Sequence, residues 1–475
     1  MNAPLPHSPS HSKRPAQAGF TVIAIASLAA CLAGTPAQAQ PASPSGVDTS
    51  GAIAQDTHTN PTGAHGMSEG RRTAGTPAIH DLDTLIRAAL ASSPQVAGAH
   101  ALRREAEFNL SSARAQYLPT PSMEYGRGNR GNNQGSLRLE QPIWTGGAIS
   151  ANVAAADARS DASVSGVALA QDSAAVAVLD AWRDYTLAHV QEKALRDMLA
   201  EYDRLLSLIG RRIDGGASAT SDRAYVQARM NQVRSQLAHT LGARASALAA
   251  LKTTINAELA ADELDTLVKV IDEPVQFDTW SPTAANQAAQ SRSPRIAQAR
   301  AQAAAAEHDT QAQRANGLPH LYVSLQKNFT GGNNNAYQDD QVRVMVNVRF
   351  TPGAGWSQIS RSDAAAQRAL DAQARVRESA NAIEIELRQL LAQLQSEIAQ
   401  RESLKAQHAA DTDVYASYQR LFDAGRRTWT DVLNTLRDKN STELYQAANA
   451  VSLKYLDARL RILTTGRVGA RTTPQ

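Results

Sequence analysis

Cysteine is almost absent. The 475 residues hold one, Cys31, so a disulfide framework within the chain and any multi-cysteine metal site are excluded. Aromatics make up only 5%, and the hydrophobic content is carried largely by alanine. A thick core cannot be built from such side chains, and long helices packed closely on one another suit them better. An excess of one charge is also missing. The net charge is +3, of which Lys13 and Arg14 supply two, and no basic stripe interleaved with stacking aromatics marks a nucleic-acid partner. Catalytic patterns are lacking too: no HExxH, no phosphate-binding glycine loop, no triad and no paired-carboxylate site. His58, His65 and His80 are too scattered for ligand spacing, so neither a metal nor a cofactor is expected, nor an enzyme.

Only one apolar run stands out, GFTVIAIASLAACLAG from 19 to 34, shorter than the ~20 residues of a spanning helix. Lys13 and Arg14 precede it and Ala37-Gln38-Ala39 follows, so residues 1–39 read as an export signal cleaved after Ala39. Leu28-Ala29-Ala30-Cys31 leaves a second reading open, a lipoprotein box with Cys31 acylated. Residues 40–80, rich in Pro, Gly, Ser, Thr and His, form a flexible extension.

What the chain does contain is a duplication. LIRAALASSPQVAGAHA (85–101) runs to QYLP (116–119), and ANQAAQSRSPRIAQARA (285–301) runs to NGLP (316–319). Pro94 and Pro294 are 200 apart, as are Pro119 and Pro319. Each Leu-Pro leads into a strand, a Gly/Asn-rich turn and a second strand, then a long helix, a turn and a further helix. The late turns IDGGASATSD (213–222) and FDAGRRTWTD (422–431) match at an offset of 209. The expected organisation is a first repeat at 81–255, a linker at 256–283, a second repeat at 284–466 and a tail at 467–475. Pro274 and Pro282 break the helical pattern in the linker.

The helix after each strand pair spans about 70 residues, roughly 105 to 110 Å of rod. Leu195, Met198, Tyr202, Leu205 and Ile209 step by three and four, as do Ile383, Leu387, Leu390, Leu394 and Ile398, which is a coiled-coil seam. Strands are expected at about 121–127, 136–144, 320–329 and 341–350. In QVRVMVNVRF (341–350), Val342, Val344, Val346, Val348 and Phe350 alternate with largely polar residues. Such strands approach the ~9–11 residues that cross an outer membrane at a tilt. Four cannot close a barrel, and open edges are forbidden in lipid; three chains supply twelve. The valine face would meet lipid, Arg343, Asn347 and Arg349 a wet lumen, and Trp144 and Phe350 an interfacial aromatic belt. Read as residues alone, small hairpins on a soluble coiled coil remain the alternative.

In its duplicated layout, its Pro-strand-turn-strand units and its paired turns GASATSD and GRRTWTDVL, the chain resembles the TolC family of outer-membrane channel-tunnels over residues 81 to 466. The resemblance implies a mainly helical fold with a membrane β-barrel part. It implies a homotrimer, with a twelve-stranded barrel in outer-membrane lipid and an α-helical tunnel across the periplasm. Its partners are a periplasmic adaptor and an inner-membrane transporter, for which an ABC-type pump is favoured. The linker joins a belt around the middle of the tunnel. The function implied is an export duct for type I secretion of a large protein of toxin or adhesin class. The outer component of a multidrug or metal efflux pump is the alternative, and a periplasmic coiled-coil adaptor or structural protein is the second.

By motif position the resemblance carries the pore constriction to Asp431 and to Asn434, which replaces a family aspartate and so weakens a cation-attracting ring. The residues alone read Asp431 as a helix-start carboxylate. The gate tethers fall on Ser221, Asp222, Arg427 and Phe422, the last standing where the family often has a tyrosine hydroxyl, so one tether is absent or replaced. The adaptor-docking tips fall on Gly215, Gly216 and Gly425, where glycine permits the reversal.

Overall fold

The computed structural model describes residues 81–127, 133–273, 281–331 and 341–465, all within the unit Glu69–Gln475. The signal segment with Cys31, His58, His65, His80, Pro274 and the tail lie outside the described residues.

The first repeat runs α1 (Leu82–Ser92), α2 (Pro94–Ala115), β1 (Thr120–Arg127), β2 (Asn133–Trp144), α3 (Ala148–Asp214) and α4 (Thr220–Ile255). After α5 (Ala261–Lys269), the second runs α6 (Pro282–Arg292), α7 (Pro294–Ala315), β3 (His320–Gly331), β4 (Val342–Arg349), α8 (Ser357–Asp423) and α9 (Trp429–Thr465). The duplication is kept to the residue: α1 and α6 have 11 residues each, α2 and α7 have 22, and α3 and α8 have 67. Sixty-seven residues make a helix about 100 Å long.

Local chemistry sets the breaks. Ser93 and Ser293 each accept from the N–H three residues on (3.4 Å), and the next residue is Pro94 or Pro294, whose missing N–H costs nothing at a helix start. α4 ends where Asn256 turns left-handed, at φ 51°. The linker is not helix-free: α5 and a 3₁₀ turn at Val270–Asp272 occupy part of it. They cover Trp182 of α3, which is fully buried and donates from Nε1 to the Leu267 carbonyl at 3.0 Å. Leu85, Leu179, Leu251 and Ile255 pack into the same cluster, so this segment is anchored by burial of a large indole whose N–H is satisfied.

α3 packs between α2 and α7, and α7 between α3 and α8, giving a row α2-α3-α7-α8. Towards the late turns the row becomes α4-α3-α9-α8. Alanines make the first row close: Ala151, Ala155, Ala156 and Ala162 of α3 and Ala299, Ala303, Ala305 and Ala312 of α7 are buried. The second row uses larger side chains. The seam residues expected from the sequence, Leu195, Met198, Tyr202, Leu205 and Ile209, all pack there with Val226, Met230, Val432 and Leu436.

The four strands form one antiparallel sheet in the order β1-β2-β3-β4. Its edges are β1 and β4, eight residues each. The strands begin or end within a residue or three of the expected limits, and Phe350 falls just past β4.

Candidate channel surfaces: a two-faced sheet and paired helix tips

The register sorts the sheet into two faces. Leu139 pairs with Pro121 and Leu325, and Leu325 with Val344; Val323 pairs with Val346, and Leu321 with Val348 and Trp144. Met123, Leu137, Leu325, Val342, Val344, Val346 and Val348 are all exposed in the single chain, the last three at 69%. An apolar face on four adjacent strands is not a scatter of surface residues. One glycine is needed in it: a Cβ on Gly135 would collide with the Phe329 ring, which lies across the opposite strand position. Lys327 shares this face near the hairpin ends.

The other face is polar and internally paired. Arg349 Nη2 reaches Glu140 Oε1 at 3.2 Å and lies over the Tyr322 ring. Asn347 donates to Ser324 Oγ at 2.8 Å, and Arg138 donates to Gln326 at 3.1 Å. Where this face meets α2, α3 and α7 it lines a cavity of about 470 Å³ bounded by Arg138, Glu140, His320, Tyr322, Asn152 and Gln116. Apolar outside and polar inside, alternating along each strand, is the arrangement a membrane barrel requires. At the helix-side end of the strands Trp144 and Phe350 are half-exposed, and Phe350 meets Trp356 edge-on at 6.2 Å.

The late turns form the second surface. The sequence offset of 209 is matched in geometry: Gly216 has φ 75° and Gly425 φ 72°, each followed by a helix start. Asp431 is the third residue of α9. Its Oδ2 accepts from the Thr428 N–H (3.2 Å) while its own N–H donates to Thr428 Oγ1 (3.3 Å), a reciprocal capping box. Asp222 accepts the matching bond from the Ala219 N–H at 3.3 Å, and the Ala219 methyl offers no acceptor to return it. Asp431 is thus held by its own helix start and by Arg427, 3.9 Å away, while Asn434 lies exposed one turn on.

Of the other expected site residues, Ser221, Gly215, Gly216 and Gly425 are exposed at the turns. Arg427 stacks over the Tyr418 ring, and Asp222 stays within its own helix start. Phe422 is buried and has a partner of its own. The Arg212 guanidinium sits 4.5 Å from the ring centroid and donates to the Phe422 carbonyl at 3.2 Å. This cation–π contact joins the ends of the two 67-residue helices. Tyr225 of α4 meets Trp429 of α9 edge-on at 5.1 Å, a second link between the tips. Sequence reading missed Arg212, Tyr225 and Trp429. The available signal was compositional: in a chain with 5% aromatics, six of them, Tyr202, Tyr225, Tyr415, Tyr418, Phe422 and Trp429, converge on the tip region. Burial, with Glu201 adding to it, pushes the Tyr415 phenol up to about 12, so it stays a neutral partner.

Among the described residues, no three of His, Cys, Asp and Glu gather in a way that could hold a metal ion.

Residues 85–257 match the family described as outer membrane efflux protein. No curated protein matches the chain. Among solved structures, a membrane protein from Pseudomonas aeruginosa is 16% identical, with a TM-score of 0.70 over 82% of this chain and 92% of that one. The outer membrane protein VceC from Vibrio cholerae is 15% identical, with a TM-score of 0.68 over 81% and 95%. The Neisseria gonorrhoeae MtrE outer membrane channel, solved in its open state, is 16% identical, with a TM-score of 0.63 over 82% and 93%. The fold is therefore that of TolC-type outer-membrane channels, built of long helices and a small antiparallel sheet.

Proposed function

We propose that three copies of this chain form an outer-membrane efflux duct. The sheet crosses the outer membrane, the helices continue across the periplasm, and the tips at Gly215–Gly216 and Gly425 meet a periplasmic adaptor that couples the duct to an inner-membrane pump. The observation that carries this reading is the two-faced sheet with two open edges of equal length. Unpaired backbone at β1 and β4 is untenable in lipid, and three four-stranded sheets joined edge to edge make a closed barrel of twelve strands. The apolar face then meets lipid and the Glu140–Arg349 face lines the lumen. Trp144 and Phe350 sit at the periplasmic interface as an aromatic belt.

At the far end, three copies of Asp431 ring the threefold axis and favour cations. Asn434 adds no second charge. Arg427 with Asp431, and Arg212 with Phe422, hold the tips together at rest.

The family match supports efflux as the use of this duct. Type I secretion of a toxin- or adhesin-class protein, with an ABC-type transporter, is the second reading. It is favoured by Ala37-Gln38-Ala39, since cleavage there would remove Cys31 and with it the site for a lipid anchor.

Val346 and Asn347 are neighbours on opposite faces of β4, and charge tests them. Val346→Arg is expected to cost about 2–4 kcal/mol of membrane stability and to sharply lower the amount of protein in isolated outer membranes. Asn347→Arg is expected to leave that amount near wild type. Equal tolerance of both, measured by membrane fractionation and immunoblot, contradicts a lipid-facing valine row.

A further inference from the structure

The strand register arranges the polar face of the sheet in rows, each taking one residue from each strand. One row reads Ser122, Arg138, Gln326 and Arg343 across β1 to β4. Half of it is arginine, and both arginines are exposed. The carboxylates on this face, among the described residues, stand outside the row. Glu140 is one row nearer the helices and Glu124 one row nearer the hairpin ends. Successive rows on one face are two residues apart, about 7 Å along the strand.

The partners of the row preserve its charge. Glu140 is already engaged by Arg349 at 3.2 Å. Glu124 lies on β1, and Arg138 leans the other way, donating from Nη2 to Gln326 Oε1 on β3 at 3.1 Å. Gln326 in turn donates from Nε2 to Asn328 Oδ1 at 2.9 Å. A neutral amide chain therefore fixes where this guanidinium sits without cancelling its charge. Gln326 stands between the two arginines, which are two strand spacings apart, about 10 Å. Over the whole face Arg138, Arg343 and Arg349 outnumber Glu124 and Glu140.

In the duct proposed above this face lines the lumen, so three copies bring six arginines, two from each chain, into one band around it. A twelve-stranded barrel is wide, so the band leaves small cations free to pass, and preference among small ions stays with the narrow tips at Asp431. Guanidinium groups at this spacing instead suit groups that carry several negative oxygens. We propose that the Arg138–Arg343 row is a specificity site of the duct, drawing in and briefly holding clustered carboxylate or phosphate groups on passing cargo. Exposure to lumen water keeps the hold weak enough for release, as conduction requires. The duct is then electrically two-ended, attracting anions within the sheet and cations at the tips. This inference rests on the trimeric duct reading and adds a cargo class to it, molecules rich in negative oxygens.

The test is planar-bilayer recording of the assembled full chain with inorganic polyphosphate as the probe. Helices of 67 residues cannot enter the bilayer lengthwise beside the sheet, so protein added on one side opens its hairpin mouth to the opposite side. Polyphosphate added on the hairpin side at low salt is expected to block the current. Raising the salt to about 1 M, where screening acts within about 3 Å, is expected to relieve the block. Arg138→Gln combined with Arg343→Gln is expected to raise the half-blocking concentration at least roughly tenfold. Arg138→Lys combined with Arg343→Lys keeps the charge and is expected to keep most of the block. Native gels check assembly of each variant, and Arg138→Gln alone, expected to shift the block in the same direction, serves if the pair does not assemble. Conducting channels that polyphosphate does not block from the hairpin side, or blocks equally in the glutamine variants, overturn the arginine band and leave the duct standing. A wild type whose tips stay shut is recorded with Phe422→Ala and Arg427→Ala added throughout. Inserted protein that conducts no ions even then removes the duct reading and this inference with it.

Discussion

Single side chains in this molecule often do local work before any channel work. Asp431 closes the capping box of α9, and Asp222 makes the single matching bond at α4. A charge test of the pore must therefore spare the cap. Asp431→Asn keeps an acceptor for the Thr428 N–H, whereas alanine would remove it. Asp172, in the first half of α3, is a different case. Burial lifts its carboxyl from 3.8 to about 6. Between those values the folded chain keeps a proton that the unfolded chain has released, so stability falls as pH rises from about 4 to 6 and the full cost is present above 6. Asp172→Asn is expected to be neutral near pH 4 and to stabilise the protein at pH 7 by on the order of 1–2 kcal/mol, after allowing for partial solvent exposure. Thermal unfolding of the detergent-solubilised protein at the two pH values, at one scan rate, checks this. A variant equally stabilised at both would mean the cost is not ionisation.

At the scale of elements, the turns are governed by backbone conformation. Gly425 is left-handed at φ 72°, and no atom would meet a Cβ there. Gly425→Ala is therefore expected to lose about 1 kcal/mol through the backbone alone. Gly425→Asn is expected to lose less, because asparagine tolerates that region, and the order Gly, Asn, Ala in apparent unfolding temperature is the check. Most elements were legible beforehand. The Pro94/Pro294 and Asp222/Asp431 offsets located the repeats, and alternation at 342–350 assigned the sheet faces. The 3–4 stepping from Leu195 to Ile209 located the seam that is buried in the structure. What could not be read was cross-chain proximity. Arg212 and Phe422 are 210 positions apart, and no periodicity links a guanidinium on one helix to a ring on another. α5 was hidden for a similar reason: nine residues are too few for a helical period to outweigh the prolines that follow, and its helix is held by burial against Trp182.

At the scale of the whole molecule, one chain is an unfinished object. Among the described residues, its sheet has two bare edges, its apolar strand face has no cover, and α2 and α8 each have a side on which no other element packs. In the trimeric duct proposed above, the copies close these gaps into a tube, greasy outside where the strands are and polar within. The direct test is planar-bilayer recording of the purified wild-type protein beside Asp431→Asn. Discrete, cation-preferring channel steps are expected from the wild type, with that preference reduced in the variant. Inserted protein that conducts no ions, even when Phe422→Ala and Arg427→Ala loosen the tips, would contradict the duct.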